Sequence, residues 1–175
     1  MCEILAPAGD KNSALAAINS GADAIYLGLK QFSARSSADN FDLSQLKEII
    51  NYAAIFGVKV HVAVNTLVKQ SEVSSFLSSV CEVWNAGADA IIMQDIFLGR
   101  AVHEAFPQMV LHLSTQAGVC NEYGARLAKE FGFSRVILAR ETAFEDIQKI
   151  TDIIETEVFV QGALCTCFSG QCYLS

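Results

Sequence analysis

Three of the six cysteines fall within the last eleven residues, at Cys165, Cys167 and Cys172, while Cys2, Cys81 and Cys120 are scattered. Thiolates are soft ligands, so three on one short segment could converge on a zinc ion or on an iron–sulfur cluster, which usually takes four. Gly162 and Gly170 lie beside them and would let the backbone fold tightly around a small centre. On spacing alone two other readings stay open: small buried hydrophobes, as free cysteine often is, or a single nucleophilic thiol. A disulfide framework is disfavoured, because such a chain would be shorter and denser in cysteine.

Something must hold that segment, and the rest of the chain reads as a repeated strand–helix unit. Short Val-, Ile- and Leu-rich runs occur at Glu3–Ala6, Asp23–Leu27, Lys59–Val64, Asp89–Met93, Val110–Ser114, Arg135–Ala139 and Glu157–Val160. Near-continuous apolar runs of this length suit strands buried on both faces of a parallel sheet. Between them lie helical stripes: Leu46, Ile49, Ile50, Ala53 and Phe56; Val73, Phe76, Leu77, Val80 and Trp84; Phe144, Ile147, Ile150 and Ile154. Asp42-x-x-Gln45 and Thr142-x-x-Glu145 read as capping boxes. Gly21, Gly57, Gly87 and Gly132 stand where helices should stop. Gly21-Ala-Asp-Ala-Ile25 recurs verbatim as Gly87-Ala-Asp-Ala-Ile91, an offset of 66 residues that holds two strand–helix units.

The fold expected is α/β, a (β/α)8 TIM-like barrel truncated to about seven strands, with residues 1–175 forming a single incomplete barrel domain. Each run finishes in polar or small residues, as a barrel whose site draws on all its βα loops requires. A doubly wound sheet would gather them at one switch point, and its G-x-G-x-x-G turn is missing after the first strand. The last run would place Cys165 at the C-terminal face of the barrel. Seven strands leave a barrel unclosed, so the sequence is expected to be part of a longer protein.

Composition sets limits. With 52% hydrophobic and 18% charged residues the chain is not of the disordered class. A net charge of -7 argues against a basic nucleic-acid module, so any RNA contact would need a local basic rim or a further domain. No apolar run reaches the roughly 20 residues of a membrane helix, and no leader pattern opens the chain; a cytoplasmic location is expected. Arg35, Asn65, Gln116 and Arg140 fall at strand ends or loops and could bind an anionic substrate or phosphate, the alternative being ion pairing such as Arg140 with Asp95. His61 and His112 lie well inside their strands and read as hydrogen-bonded core residues, the alternatives being a metal-binding pair or a general base. Peptidase signatures are incomplete: His103-Glu104 begins a zincin motif, but Pro107 takes the second histidine's place, and Ser169 lacks the glycine of a nucleophile elbow.

The tail carries a resemblance. Glu157-x-Phe159, then Gly162-Ala-Leu-Cys165, then Gly170-x-Cys172-x-Leu174-Ser175 resembles the diagnostic motif of the collagenase-like peptidase family U32 at every fixed position. Leu5-Ala-Pro-Ala-Gly9, Gly21 to Gly28, Phe32-Ser33 with Arg35, Asn40-Phe41, Ser114-Thr-Gln116 and Leu138-Ala-Arg-Glu141 are similar to it as well, so the likeness spans the whole chain. The resemblance implies a barrel bearing a 4Fe–4S cluster on four cysteines. It also implies a protein that hydroxylates a base in tRNA or rRNA, or alternatively the ring of a ubiquinone precursor. Some members are described as collagen-degrading peptidases, and a non-catalytic metal-binding module is a further alternative. By position Cys165 and Cys172 match two cluster ligands, and Cys167 is not a family position. The other two ligands would lie outside this chain, in the missing C-terminal part of the same protein.

Overall fold

The computed structural model describes residues 2–34, 40–162 and 166–171. Within them seven strands alternate with six α-helices. The strands are β1 (Leu5–Ala8), β2 (Ala24–Gly28), β3 (Lys59–Val64), β4 (Ala90–Met93), β5 (Leu111–Leu113), β6 (Arg135–Ile137) and β7 (Glu155–Glu157). The helices are α1 (Lys11–Asn19), α2 (Leu43–Ile55), α3 (Val73–Asn85), α4 (Ile96–Ala105), α5 (Glu122–Glu130) and α6 (Phe144–Thr151). The chain falls into two compact units, Met1–Ile92 and Met93–Ser175.

In the first unit the strands lie in chain order from β1, and β1–β2 and β2–β3 pair in parallel. Parallel neighbours need a crossover, and α1 and α2 supply it. Burial on both faces follows: Val60, Val62 and Val64 are buried on one side of β3, His61 and Ala63 on the other. The second unit repeats this pattern, with β5–β6 and β6–β7 parallel and in chain order. Consecutive order is the pattern of a (β/α)8 barrel, since a doubly wound sheet reverses direction at its switch point.

The Gly-Ala-Asp-Ala-Ile repeat has one structural meaning in both copies. Gly21 and Gly87 take positive φ (+88° and +100°) to end α1 and α3. The following aspartate then pins the start of the neighbouring strand twice over. The Asp23 carboxylate accepts from Ile4 N–H at 2.8 Å while its own N–H donates to the Ile4 carbonyl. Asp89 does the same to Val60, at 2.8 Å. Ser134 fills the equivalent place before β6, its N–H and hydroxyl both donating to the Leu111 carbonyl.

Four expectations are corrected. The first strand starts at Leu5 rather than Glu3, because Ile4 is occupied by Asp23 and Glu3 pairs with Lys59 at 2.7 Å. The last strand is Glu155–Glu157, not Glu157–Val160. Its polar sequence is held in register by buried Arg135, which reaches Glu155 at 2.7 Å and Glu157 at 3.4 Å, while apolar Val160 is 91% exposed. Asp42–Gln45 is a reciprocal capping box, but Thr142–Glu145 is not. The Thr142 hydroxyl turns back to the Ala139 carbonyl at 2.6 Å, and α6 starts after Ala143 without a side-chain cap. The helical stripes also shift at their ends, because Phe56 caps α2 in solvent and Phe144 opens α6 exposed.

Candidate functional site

At the C-terminal ends of β5 and β6 the chain builds a seat for part of its own tail. Ser114 follows β5, and its hydroxyl accepts from Gln116 N–H at 3.3 Å, starting one 3₁₀ turn over Thr115–Ala117. The Thr115 hydroxyl donates to the Leu138 carbonyl at 3.1 Å, and Ala139 N–H donates to the Val119 carbonyl, so this turn is tied to the chain leaving β6. The next two residues are Arg140 and Glu141.

Thr166–Gln171 lies on this seat. Arg140 N–H donates to the Ser169 hydroxyl at 3.2 Å, its Nε to the same oxygen at 3.4 Å, and its Nη2 to the Cys167 carbonyl at 3.2 Å. Ser169 N–H donates to the Glu141 carboxylate at 2.8 Å. The cation thus takes acceptors and the anion takes a donor. Gly170, at φ +78°, rests against the Gln116 carbonyl, and any Cβ there would collide with that oxygen. Desolvation would raise the Glu141 carboxyl, but N–H donation from its own backbone and from Ser169, helped by the Ser169 hydroxyl and the Arg140 charge, outweighs it and holds the group below the ordinary carboxylate range.

The structure brings together Gln116, Arg140 and Cys167, all in the second unit. Cys167 is half-buried, and its carbonyl is held by Arg140. Asp95 serves instead as N-cap of α4, its carboxylate accepting from Phe97 and Leu98 N–H. Asn65 belongs to the first unit, where its side-chain oxygen accepts from Ala34 N–H at 3.2 Å. It thereby steadies a loop in which Ser33 and Asn40 pack over Gly28, and Phe32 sets its ring edge against Phe76 at 5.3 Å. Arg35, Cys165 and Cys172 lie outside the described residues. His61 and His112 are buried in β3 and β5, at 2% and 3% exposure. Among the described residues no group of three or more His, Cys, Asp or Glu side chains is arranged to hold a metal ion. Sequence reasoning gave no role to Glu141 or Ser169. The available signal was an Arg-Glu pair at a strand's C-terminal end and a Ser-Gly pair between two cysteines.

The family model described as peptidase family U32 matches residues 9–175. The chain is 38% identical over 176 residues to tRNA hydroxylation protein P of Escherichia coli, covering 99% of this chain and 39% of that protein. It is 35% identical over 175 residues to the 23S rRNA 5-hydroxycytidine synthase of the same organism, covering 99% of this chain and 26% of that protein. The chain therefore spans about two-fifths or less of the length of these relatives. Among solved structures, a U32 peptidase superposes with a TM-score of 0.71 at 12% identity, over 90% of this chain and 67% of that one.

Proposed function

Because this chain belongs to peptidase family U32, we propose that it is the barrel portion of an iron–sulfur protein that hydroxylates a base in tRNA or rRNA. One observation carries the reading: the segment between Cys165 and Cys172 is seated on the C-terminal ends of β5 and β6, the face on which (β/α)8 proteins build their sites. The donor set fits the group. Cysteine thiolates are the usual ligands of iron–sulfur clusters, and Gly170 lets the backbone between the two cysteines pack against the Gln116 carbonyl. Cys165 and Cys172, with two cysteines from elsewhere in the protein, would hold the cluster, and when bound it would supply electron transfer.

The chain's own contribution is placement. Arg140 and Glu141 hold the cysteine segment, and Gln116 supports it from below. RNA is taken as the substrate because relatives over the same residues are named for hydroxylation of tRNA and of rRNA cytidine. With a net charge of -7 on this part, phosphate neutralisation would fall to a local rim or to segments beyond these residues. A cytoplasmic location accords with an RNA substrate, and no described helix is long and apolar enough to cross a membrane.

The test is anaerobic purification of the intact protein, with chemical assay of iron and sulfide, beside mass analysis of tRNA and rRNA nucleosides from cells lacking it. Iron with sulfide, lost in Cys165→Ala and Cys172→Ala, and one nucleoside lighter by an oxygen atom are the expected results. Zinc without sulfide, or an unchanged nucleoside profile, overturns the reading. Metal-free cleavage of gelatin would point to a peptidase instead.

A further inference from the structure

Arg140 and Glu141 make three side-chain bonds to Cys167 and Ser169, and the Arg140 N–H adds a fourth. All of them fall between Cys165 and Cys172, two ligands separated by six residues that must be ordered before both thiolates can face one metal centre. Ordering such a segment costs backbone entropy, and loop closure adds to it. Where a protein meets that cost in advance, metal binding no longer has to. We infer that Arg140 and Glu141 are positioning residues that hold this segment on the β5–β6 rim in the metal-free protein and so set how long the cluster is retained. This deepens, and rests on, the iron–sulfur reading given above.

Three features of the geometry support it. The two side chains have opposite charge and opposite hydrogen-bonding character, and they use it: guanidinium to carbonyl and hydroxyl oxygens, carboxylate to an amide. Each bond has an ionised partner, which makes it stronger than a neutral one. The third anchor needs no side chain. Gly170 sits against the Gln116 carbonyl at a positive φ, so the chain passes the rim at one height only. Arg140 donates to two different acceptors from one planar fork, which a lysine could not reproduce.

The experiment uses the intact protein and its Arg140→Met, Arg140→Lys, Glu141→Gln and Gly170→Ala variants. In metal-free protein, hydrogen exchange of the peptide covering Thr166–Gln171 should quicken about tenfold in Arg140→Met and Glu141→Gln, as local opening becomes easier. Thermal unfolding reports that the barrel itself is intact. In loaded protein, iron and sulfide should be lost to a chelator several-fold faster in the same variants. Arg140→Lys separates positioning from charge: it restores retention if only a cation is needed, and that result overturns the inference. So does unchanged exchange in both Arg140→Met and Glu141→Gln, or a released segment that keeps its iron as long as the wild type. Gly170→Ala should loosen the segment with both side chains present. Wild-type protein that takes up no iron overturns the cluster reading, and the retention claim with it, while the exchange arm still decides whether the two side chains hold the segment.

Discussion

Asp23 and Asp89 do the same work one repeat apart, each clasping both backbone groups of the residue at the start of a neighbouring strand. Among the described residues, no such repetition is found at the opposite ends of the strands. Asn65, after β3, holds a loop amide at Ala34, whereas Arg140 and Glu141, after β6, hold a stretch of tail. The N-terminal ends solve one problem several times, namely how to start a parallel strand in register with its partner. The C-terminal ends each solve a different one. In a (β/α)8 architecture the first kind of polar residue serves stability and the second serves the site. The contrast can be broken by experiment, because changes at the two ends should show up in different measurements.

The largest effect belongs to Arg135, at the start of β6. Its guanidinium is buried and bridges Glu155, which is 60% exposed, and Glu157, which is 17% exposed. Removing one member of a buried pair can cost 3–5 kcal/mol, but Glu155 rehydrates easily, so Arg135→Met should cost about 2–3 kcal/mol in urea unfolding. Adding Glu155→Gln and Glu157→Gln should recover part of the loss. Should Arg135→Met leave stability unchanged yet release Thr166–Gln171 to fast exchange, the division between the two ends fails.

Next come the repeated aspartates. Asp89→Ala leaves the N–H of buried Val60 without its carboxylate acceptor, a loss of about 1–2 kcal/mol. Asp23→Ala strips only the exposed Ile4, whose N–H water can satisfy, and should cost about 0.5 kcal/mol. Equal losses at the two positions would show that burial of the pinned strand does not set the scale.

This contrast also explains what could be read from the residues alone. Strand–helix alternation, the capping box at Asp42 and the helix-ending glycines are local, periodic features, and periodicity is visible in one dimension. The repeat at Gly21 and Gly87 was legible for the same reason. What escaped notice depended on pairing across the sheet. Only the last residue of the Glu-Thr-Glu of β7 falls in the expected run Glu157–Val160, and what carries the strand back to Glu155 is its ion pair with Arg135, twenty residues earlier. Thr142 matches a capping signature but prefers the Ala139 carbonyl. At the site, Arg140 was legible as a polar strand-end residue, whereas its partners Cys167 and Ser169 lie 27 and 29 residues on. Ser169 was weighed only against a hydrolase motif, because a serine that bonds an Arg-Glu pair leaves no spacing signature.

The smallest expected effect is also the most local. The Glu141 carboxyl is held below its ordinary range, near 4.3 for a free glutamate, so its contribution to seating the tail is present above that value. It is lost as pH falls through the lowered one, where protonation removes the acceptor charge facing Ser169 N–H. Arg140, the charged neighbour on the same face, stays protonated throughout and does not titrate in this window. Exchange of the Ser169 amide, corrected for its intrinsic pH dependence, should therefore stay slow through the ordinary carboxylate range and accelerate only once the pH falls below it. In Glu141→Gln the step should vanish and the amide should exchange faster at every pH. Because the carboxylate is largely exposed, solvent screens it, and global stability should move little over the same range. Asp10, the N-cap of α1, is also held low, chiefly by Ser13 N–H. Its effect belongs to the start of α1, so a step at Ser169 that survives Glu141→Gln would assign the acid sensitivity of the rim to some other group and remove Glu141 from the latch.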